Sequence, residues 1–274
     1  MKIIEHLVAL FGGACVFVAL VAVGFTVAAS PPATHVLGGL LEDNSSSPYT
    51  KEDLLYLADA TRTFTVDPYG AGGQEGALEL LAQICIDSGR SSAQAGEKND
   101  YWQSEASQVL DAATSENSVR ALYALAEIDT SYALDPDAVS HLVDCNVLIN
   151  NVRPWLAGAA LGALAAWIVL AALKARRSLG HMLAWPSALL MLAFLALGVW
   201  AAIDFSGFFS AFHDVFFPQG NWTFDARSLL ITMYPQEFWV ALGALWLAVS
   251  LLAAIIFLVL GRHYAKSIGK HARS

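Results

Sequence analysis

The chain has 274 residues, of which 56% are hydrophobic and only 14% charged, with a formal net charge of −9. Soluble domains are about a quarter charged, so this composition is that of a membrane protein rather than a soluble one. The acidic balance, with no basic patch and no recognition motif, excludes a nucleic-acid partner.

Residues 7–29 carry no charge. They exceed the roughly 20 apolar residues needed to cross a bilayer core, so 1–29 reads as the first transmembrane segment. Small residues near Ala28 and Ser30 allow a second reading as a cleaved signal peptide. The run is longer than the usual h-region of about 7–15 residues, which favours an uncleaved span. Gly13-Ala14-Cys15 loosely resembles a lipobox, but Cys15 lies inside the apolar run and reads as a buried small hydrophobe.

Residues 30–154 hold 19 Asp and Glu against 6 Lys and Arg, so the net acidity is mostly that of one polar domain. His35 stands in a small-residue linker after the first span. Thr50-Lys-Glu-Asp53 has the form of a capping box, opening a helix to about residue 63 with Leu54, Leu57 and Ala58 as its apolar stripe. A loop over 67–73 leads to a helix over 74–87, and 89–98, rich in Ser, Gly and charge, reads as a mobile surface connection. Helices follow over 100–113 and 117–128. Asp135 is a good N-cap and Pro136 a good first residue for the next helix. Val139, Leu142, Val143, Val147 and Leu148 keep its period as far as Pro154, which can bend the chain before the second span. Without a bend, His141 stands about 20 Å above Trp155.

The second span covers 155–173 and the third 182–203, with Pro186 near its start. Between them, 174–181 carries Lys174, Arg176 and Arg177. Residues 204–237 form a second outer loop in which Phe205, Phe208, Phe209, Phe212 and Phe216 recur at helical spacing, an aromatic stripe suited to a bilayer interface. His213 and Asp214 sit beside it. A turn-rich stretch runs from Pro218 to Asp225, then a short helix over 227–234, before the fourth span at 238–260. The tail 261–274 carries Arg262, Lys266, Lys270 and Arg273. Positive residues stay on the cytoplasmic side, which puts both termini and 174–181 inside, and 30–154 and 204–237 outside. The expected fold is therefore all-α: a polytopic membrane protein with four transmembrane helices and a helical extracytoplasmic domain between the first and second.

No nucleophile elbow, HExxH, P-loop or dinucleotide fingerprint is present, and neither a cofactor nor a metal is implied by any ligand spacing. Of the histidines, His141 and His213 lie on ordered outer segments. Asp137 and Asp144 share a helix face with His141, and an adjacent carboxylate orients an imidazole and raises its basicity. A structural histidine is the plainer account of each, as packing is of the aromatic stripe. Cys85 and Cys145 both fall in the exported domain, where a disulfide is permitted.

At His213-Asp-Val-Phe-Phe-Pro-Gln-Gly-Asn-Trp-Thr-Phe-Asp225, and on to Tyr234-Pro-Gln-Glu-Phe-Trp239, the chain resembles the lipoprotein intramolecular transacylases, four-span membrane proteins of Gram-positive bacteria. Their pattern also has a His-x-x-Asp-Val segment before the second span. His141-Leu-Val-Asp144-Cys145 matches its His and Asp and departs at Cys145, and Ser228 stands where an acidic residue is expected. In topology the likeness covers the whole chain, in sequence about a quarter of it, and 67–130 aligns with nothing in the pattern. The resemblance implies transfer of the sn-2 acyl chain of a diacylglyceryl-cysteine lipoprotein onto the cysteine's own α-amino group, with diacylated lipoprotein and membrane lipid as partners and no cofactor. It carries His141 and His213 over as catalytic, in either assignment of base and electrophile, with Asp144, Asn221, Trp222 and Asp225 shaping the site. Two other functions compete. One is a non-enzymatic sensor or assembly protein that binds a partner through the acidic domain, and it expects the two histidines to be buried apart. The other is a metal-dependent lipid hydrolase.

Overall fold

The computed structural model describes residues 2–42 and 44–266; Lys270 and Arg273, read above as cytoplasmic anchors, lie outside them. The described residues are helical, with no strand among them. Four helices are long and apolar enough to cross a membrane: α1 (Lys2–Ala28), α7 (Pro136–Ala172), α8 (Arg176–Ile203) and α11 (Gln236–Lys266). The chain divides into two compact units.

The first unit takes residues 1–28, 151–210 and 243–274. Its helices turn many large apolar side chains outward, Leu7, Leu192 and Ile203 among them. That suits lipid as the surrounding solvent and would be costly in water. Small residues let the helices approach closely. A Cβ at Gly12 would sit 2.6 Å from Ala166 Cβ and 2.7 Å from Met182 Sδ. Close packing of this kind takes over the role that the hydrophobic effect plays in water. Cys15 packs in the same way, its sulfur 2.9 Å from where a Cβ on Gly162 would lie.

The second unit takes residues 29–150 and 211–242. It holds α2 (Pro31–Leu41), α3 (Lys51–Val66), α4 (Gly73–Gln94), α5 (Ser104–Ala112) and α6 (Ser118–Ile128), with the N-terminal part of α7 and the short α10 (Leu229–Met233). Its core is Leu54, Leu57, Leu81, Leu110, Leu122, Leu125 and Met233, with Tyr49 and Trp102. Tyr49 donates to the Tyr132 carbonyl, and the Trp102 ring stacks on Tyr132 at 4.8 Å between centroids. The capping expected at Thr50 is present: its Oγ1 accepts from the Asp53 amide at 3.2 Å.

Three local expectations are corrected. The linker holding His35 is helix α2, opened by Pro31 and packed on α3, and His35 Nδ1 lies 2.7 Å from Asp59 Oδ2. The supposed mobile connection at 89–98 is largely the last turns of α4. Gly89 is there for close packing, since a Cβ would stand 3.0 Å from Trp102 and 3.1 Å from Leu110. Ser92 Oγ donates to Asp53 at 2.6 Å, and the buried Lys98 ammonium donates to the Ser47 carbonyl at 3.0 Å. The candidate disulfide does not exist, because all three cysteines are free. Cys85 points into the core of the second unit, 3.5 Å from the Tyr49 hydroxyl, whereas Cys145 faces His141. Pro154, finally, lies inside α7, whose helix continues through it.

Candidate active site

The site lies within the second unit and is built from the N-terminal part of α7, the last turn of α9 (Phe205–Phe216) and the segment that follows it. Asp135 caps α7 by accepting from the Ala138 amide at 2.7 Å, as the Asp-Pro start predicts. Asn146, buried five residues beyond His141, donates to the carbonyls of Phe64 at 2.9 Å and Asp67 at 2.8 Å. Those are the carbonyls left open at the end of α3, so the same bonds finish one helix and fix another. His141 is thereby held on a rigid element.

His213 is on the last turn of α9. After Phe217 the chain reverses in a tight turn: the Gly220 amide donates to the Phe217 carbonyl at 3.1 Å with Gly220 at φ +81°, a conformation that favours glycine. The turn brings Gln219 and Asn221 back onto α7. Asp144 Oδ2 accepts from Gln219 Nε2 at 2.8 Å and from Asn221 Nδ2 at 3.0 Å, and Asn221 Nδ2 also reaches Ser140 Oγ at 3.4 Å. The carboxylate expected to orient His141 therefore binds the loop that follows His213 instead.

The two imidazoles meet. Their ring centroids are 5.8 Å apart with 34° between planes, although 72 positions separate them in sequence. Phe217, buried, packs in a T-shaped contact with His141 at 4.7 Å between centroids and lies 5.7 Å from His213. Phe224 stands 5.8 Å from His141, and Trp222 lies 5.0 Å from His213. His141 is 8% exposed, and its Nδ1 is buried without a hydrogen-bond partner. Its Nε2 is 3.6 Å from the Cys145 sulfur. Burial first, and then the neighbouring His213, lower its pKa from 6.5 to about 4, against a smaller opposing effect of Asp144. His141 is thus a neutral imidazole at physiological pH. Burial likewise pushes the Cys145 thiol up to about 12.

Of the residues named from sequence, His141, His213, Asp144, Asn221 and Trp222 are brought together. Asp225 is not: it is exposed and accepts from the Arg227 amide within its own turn at 2.8 Å. Ser228 caps α10 through the Ile231 amide, a role an Asp fills equally well. Sequence reasoning passed over Gln219, Ser140, Phe217 and Phe224. The Pro218-Gln-Gly turn was the signal for the first, since a reversal there turns the chain after α9 back, and its side chains land on α7, which carries His141. Among the described residues, no three His, Cys, Asp or Glu side chains are grouped as metal ligands.

The family described as lipoprotein intramolecular transacylase Lit matches residues 87–239. The match begins well before His141 and takes in 87–130, where no likeness was legible to the eye. Two solved structures share the fold. The lipoprotein intramolecular transacylase Lit from Bacillus cereus aligns over 100% of both chains with 17% identity and a TM-score of 0.67. A variant of the Bacillus cereus protein with one histidine changed to alanine aligns over 100% of this chain and 97% of its own, also at 17% identity, with a TM-score of 0.62. No curated protein matches the chain in sequence.

Proposed function

The chain belongs to the Lit family of lipoprotein intramolecular transacylases, and we propose that His141 and His213 carry its acyl transfer. The observation that supports this site is the 5.8 Å approach of the two rings from distant segments. A sensor or assembly protein would have no need to bring them together.

The proposed substrate is a diacylglyceryl-cysteine lipoprotein. Its α-amine attacks the sn-2 ester carbonyl, a C–N bond forms, and the C–O bond to glycerol breaks. The products are an N-acyl cysteine and a free sn-2 hydroxyl, with no water consumed. An α-amine has a pKa near 8, so a base must take its proton before or during attack. His213 takes that proton and returns it to the departing glyceryl oxygen. His141, held neutral by its surroundings, donates a hydrogen bond to the carbonyl oxygen as charge builds there. Amine and ester belong to one molecule, so holding them in register supplies much of the rate. Asp144 acts on the loop: by binding Gln219 and Asn221 it keeps the Trp222 side of the site in place. Both termini are placed in the cytoplasm, on the distribution of Lys and Arg, which sets the site on the outer side where the glyceryl ester is presented.

The test is expression in a host that makes only diacylated lipoproteins, followed by mass spectrometry of lipoprotein N-terminal peptides. Wild-type protein moves one acyl chain to the α-nitrogen, and His141→Ala and His213→Ala do not. An unchanged acyl position with wild-type protein would remove the substrate reading. A shift that persists in both variants would remove the site.

A further inference from the structure

Cys145 occupies the one position where the His-x-x-Asp segment of this chain departs from its family pattern, and its sulfur meets an imidazole nitrogen of the site. From that contact we propose that Cys145 is a positioning residue: its S–H donates to His141 Nε2 and so fixes the Nδ1–H tautomer, leaving Nδ1–H as the donor to the substrate carbonyl. This rests on His141 being a site residue, as argued above.

The geometry has two solutions, and chemistry separates them. In the first, the thiol donates to Nε2 and the ring proton sits on Nδ1. In the second, Nε2–H donates to sulfur, Nδ1 is a bare lone pair, and the thiol proton is left over. A neutral imidazole nitrogen is a good acceptor and sulfur a weak one, so the first pairing is the stronger. The thiol keeps its proton, since burial raises its pKa to about 12, and the ring keeps a free lone pair, since it is neutral down to about pH 4. Cys145 follows His141 by one helical turn, so the contact is set by the backbone of α7 and does not depend on a mobile loop.

The consequence is directional. With Nε2 engaged, Nδ1 is the only ring atom of His141 able to donate. It is buried, without a partner, in a ring 8% exposed. A buried donor with no acceptor costs free energy at rest. That cost is recovered when a carbonyl oxygen arrives and gathers negative charge, which is the pattern of a preorganised electrophile. The arrangement also assigns the two histidines: His141 polarises the carbonyl, and His213 is left to move the proton.

The tautomer can be read directly. Protein labelled with 15N-histidine and purified in detergent micelles gives ring-nitrogen signals, with that of His141 identified by its loss in His141→Asn. The wild-type signal is expected to be that of the Nδ1-protonated neutral form, retained in Cys145→Ser and changed to the Nε2-protonated form in Cys145→Val. Turnover of a diacylglyceryl lipopeptide is expected to fall about five-fold in kcat for Cys145→Val, with KM unchanged and recovery in Cys145→Ser, as for the loss of one neutral hydrogen bond. An Nε2-protonated wild-type ring would overturn the proposal. So would full activity in Cys145→Val, or an acyl group trapped on Cys145 by mass spectrometry, since the thiol would then be a nucleophile. If wild-type protein turns over no lipopeptide, the functional reading falls, and the tautomer measurement still decides this one.

Discussion

Acid should remove stability from this protein through His141, and the size of the loss follows from the site. The group titrates at about 4 when folded and near 6.5 when unfolded. Its folded pKa is depressed, so the contribution is fully present above pH 6.5 and is lost as pH falls through the folded value. At 1.36 kcal/mol per unit, the interval of about 2.5 units is worth about 3.4 kcal/mol at most. Part of the ring's surroundings is reached by solvent, and screening reduces this to about 2 kcal/mol. The comparison is with His141→Gln, which fills similar space and binds no proton. Unfolding free energies of both proteins are measured in detergent micelles from pH 4 to pH 8. The gap between them should be constant above pH 6.5 and change by about 2 kcal/mol against the wild type on the way to pH 4. The groups that bear on the ring are His213 and Asp144, and Asp144→Asn should widen the change, because Asp144 favours the protonated ring. A gap that stays flat across the whole range would refute the claim that burial keeps this imidazole neutral.

Asp144→Ala removes the acceptor of two loop bonds, and the lipopeptide assay should show an activity loss of about ten-fold with little change in melting temperature, as befits a partly exposed carboxylate. Dithiothreitol should leave the melting temperature unchanged, because Cys85 and Cys145 are not joined; a drop of several degrees would mean that they are. Gly89→Val forces a side chain against Trp102 and Leu110, and chemical denaturation should report a loss of about 1–3 kcal/mol.

The spans were readable because length and charge leave little choice: uncharged runs of this size have one environment in which they are stable. The stripe of α9 was readable for a similar reason, since five phenylalanines at helical spacing persist whatever packs on them. Misreadings came where one residue type serves two purposes. Gly89 read as flexibility, yet it serves as a gap for an indole. The Pro31-Pro32 start of α2 read as a linker, although the helix it opens rests on tertiary contact with α3. At the site, helical spacing correctly placed Asp144 near His141 but could not say which partner its oxygens would choose. That choice was made by a glycine turn 76 positions later, through Gln219 and Asn221. The thiol beside His141 was read as a disulfide candidate and as a departure from a pattern, although its place one helical turn after the histidine is what sets their contact.

An acyl chain on an activated carbonyl has two fates, capture by an amine or capture by water, and a transacylase must suppress the second. The residue best placed to do so is Phe217. It is 4% exposed, and its ring centroid is 4.7 Å from that of His141 and 5.7 Å from that of His213, so it covers the buried imidazole and borders the half-buried one. Phe217→Ala would open a cavity bounded by two polar rings, and a cavity with polar walls takes up water where an apolar one stays dry. A water beside His213 is then available to the same base that serves the amine. The expected result is a change in products beyond any change in rate: free fatty acid appears, together with lyso-lipoprotein lacking an N-acyl group, both measurable by mass spectrometry of the lipopeptide reaction. Relief of burial should also raise the His141 pKa from about 4 towards its ordinary 6.5, which narrows the acid-sensitive range of stability from its lower end and shrinks the loss. If Phe217→Ala slows the reaction while N-acyl product remains the sole product, water exclusion is not the task of this side chain, and selectivity must come from the proximity of amine and ester alone.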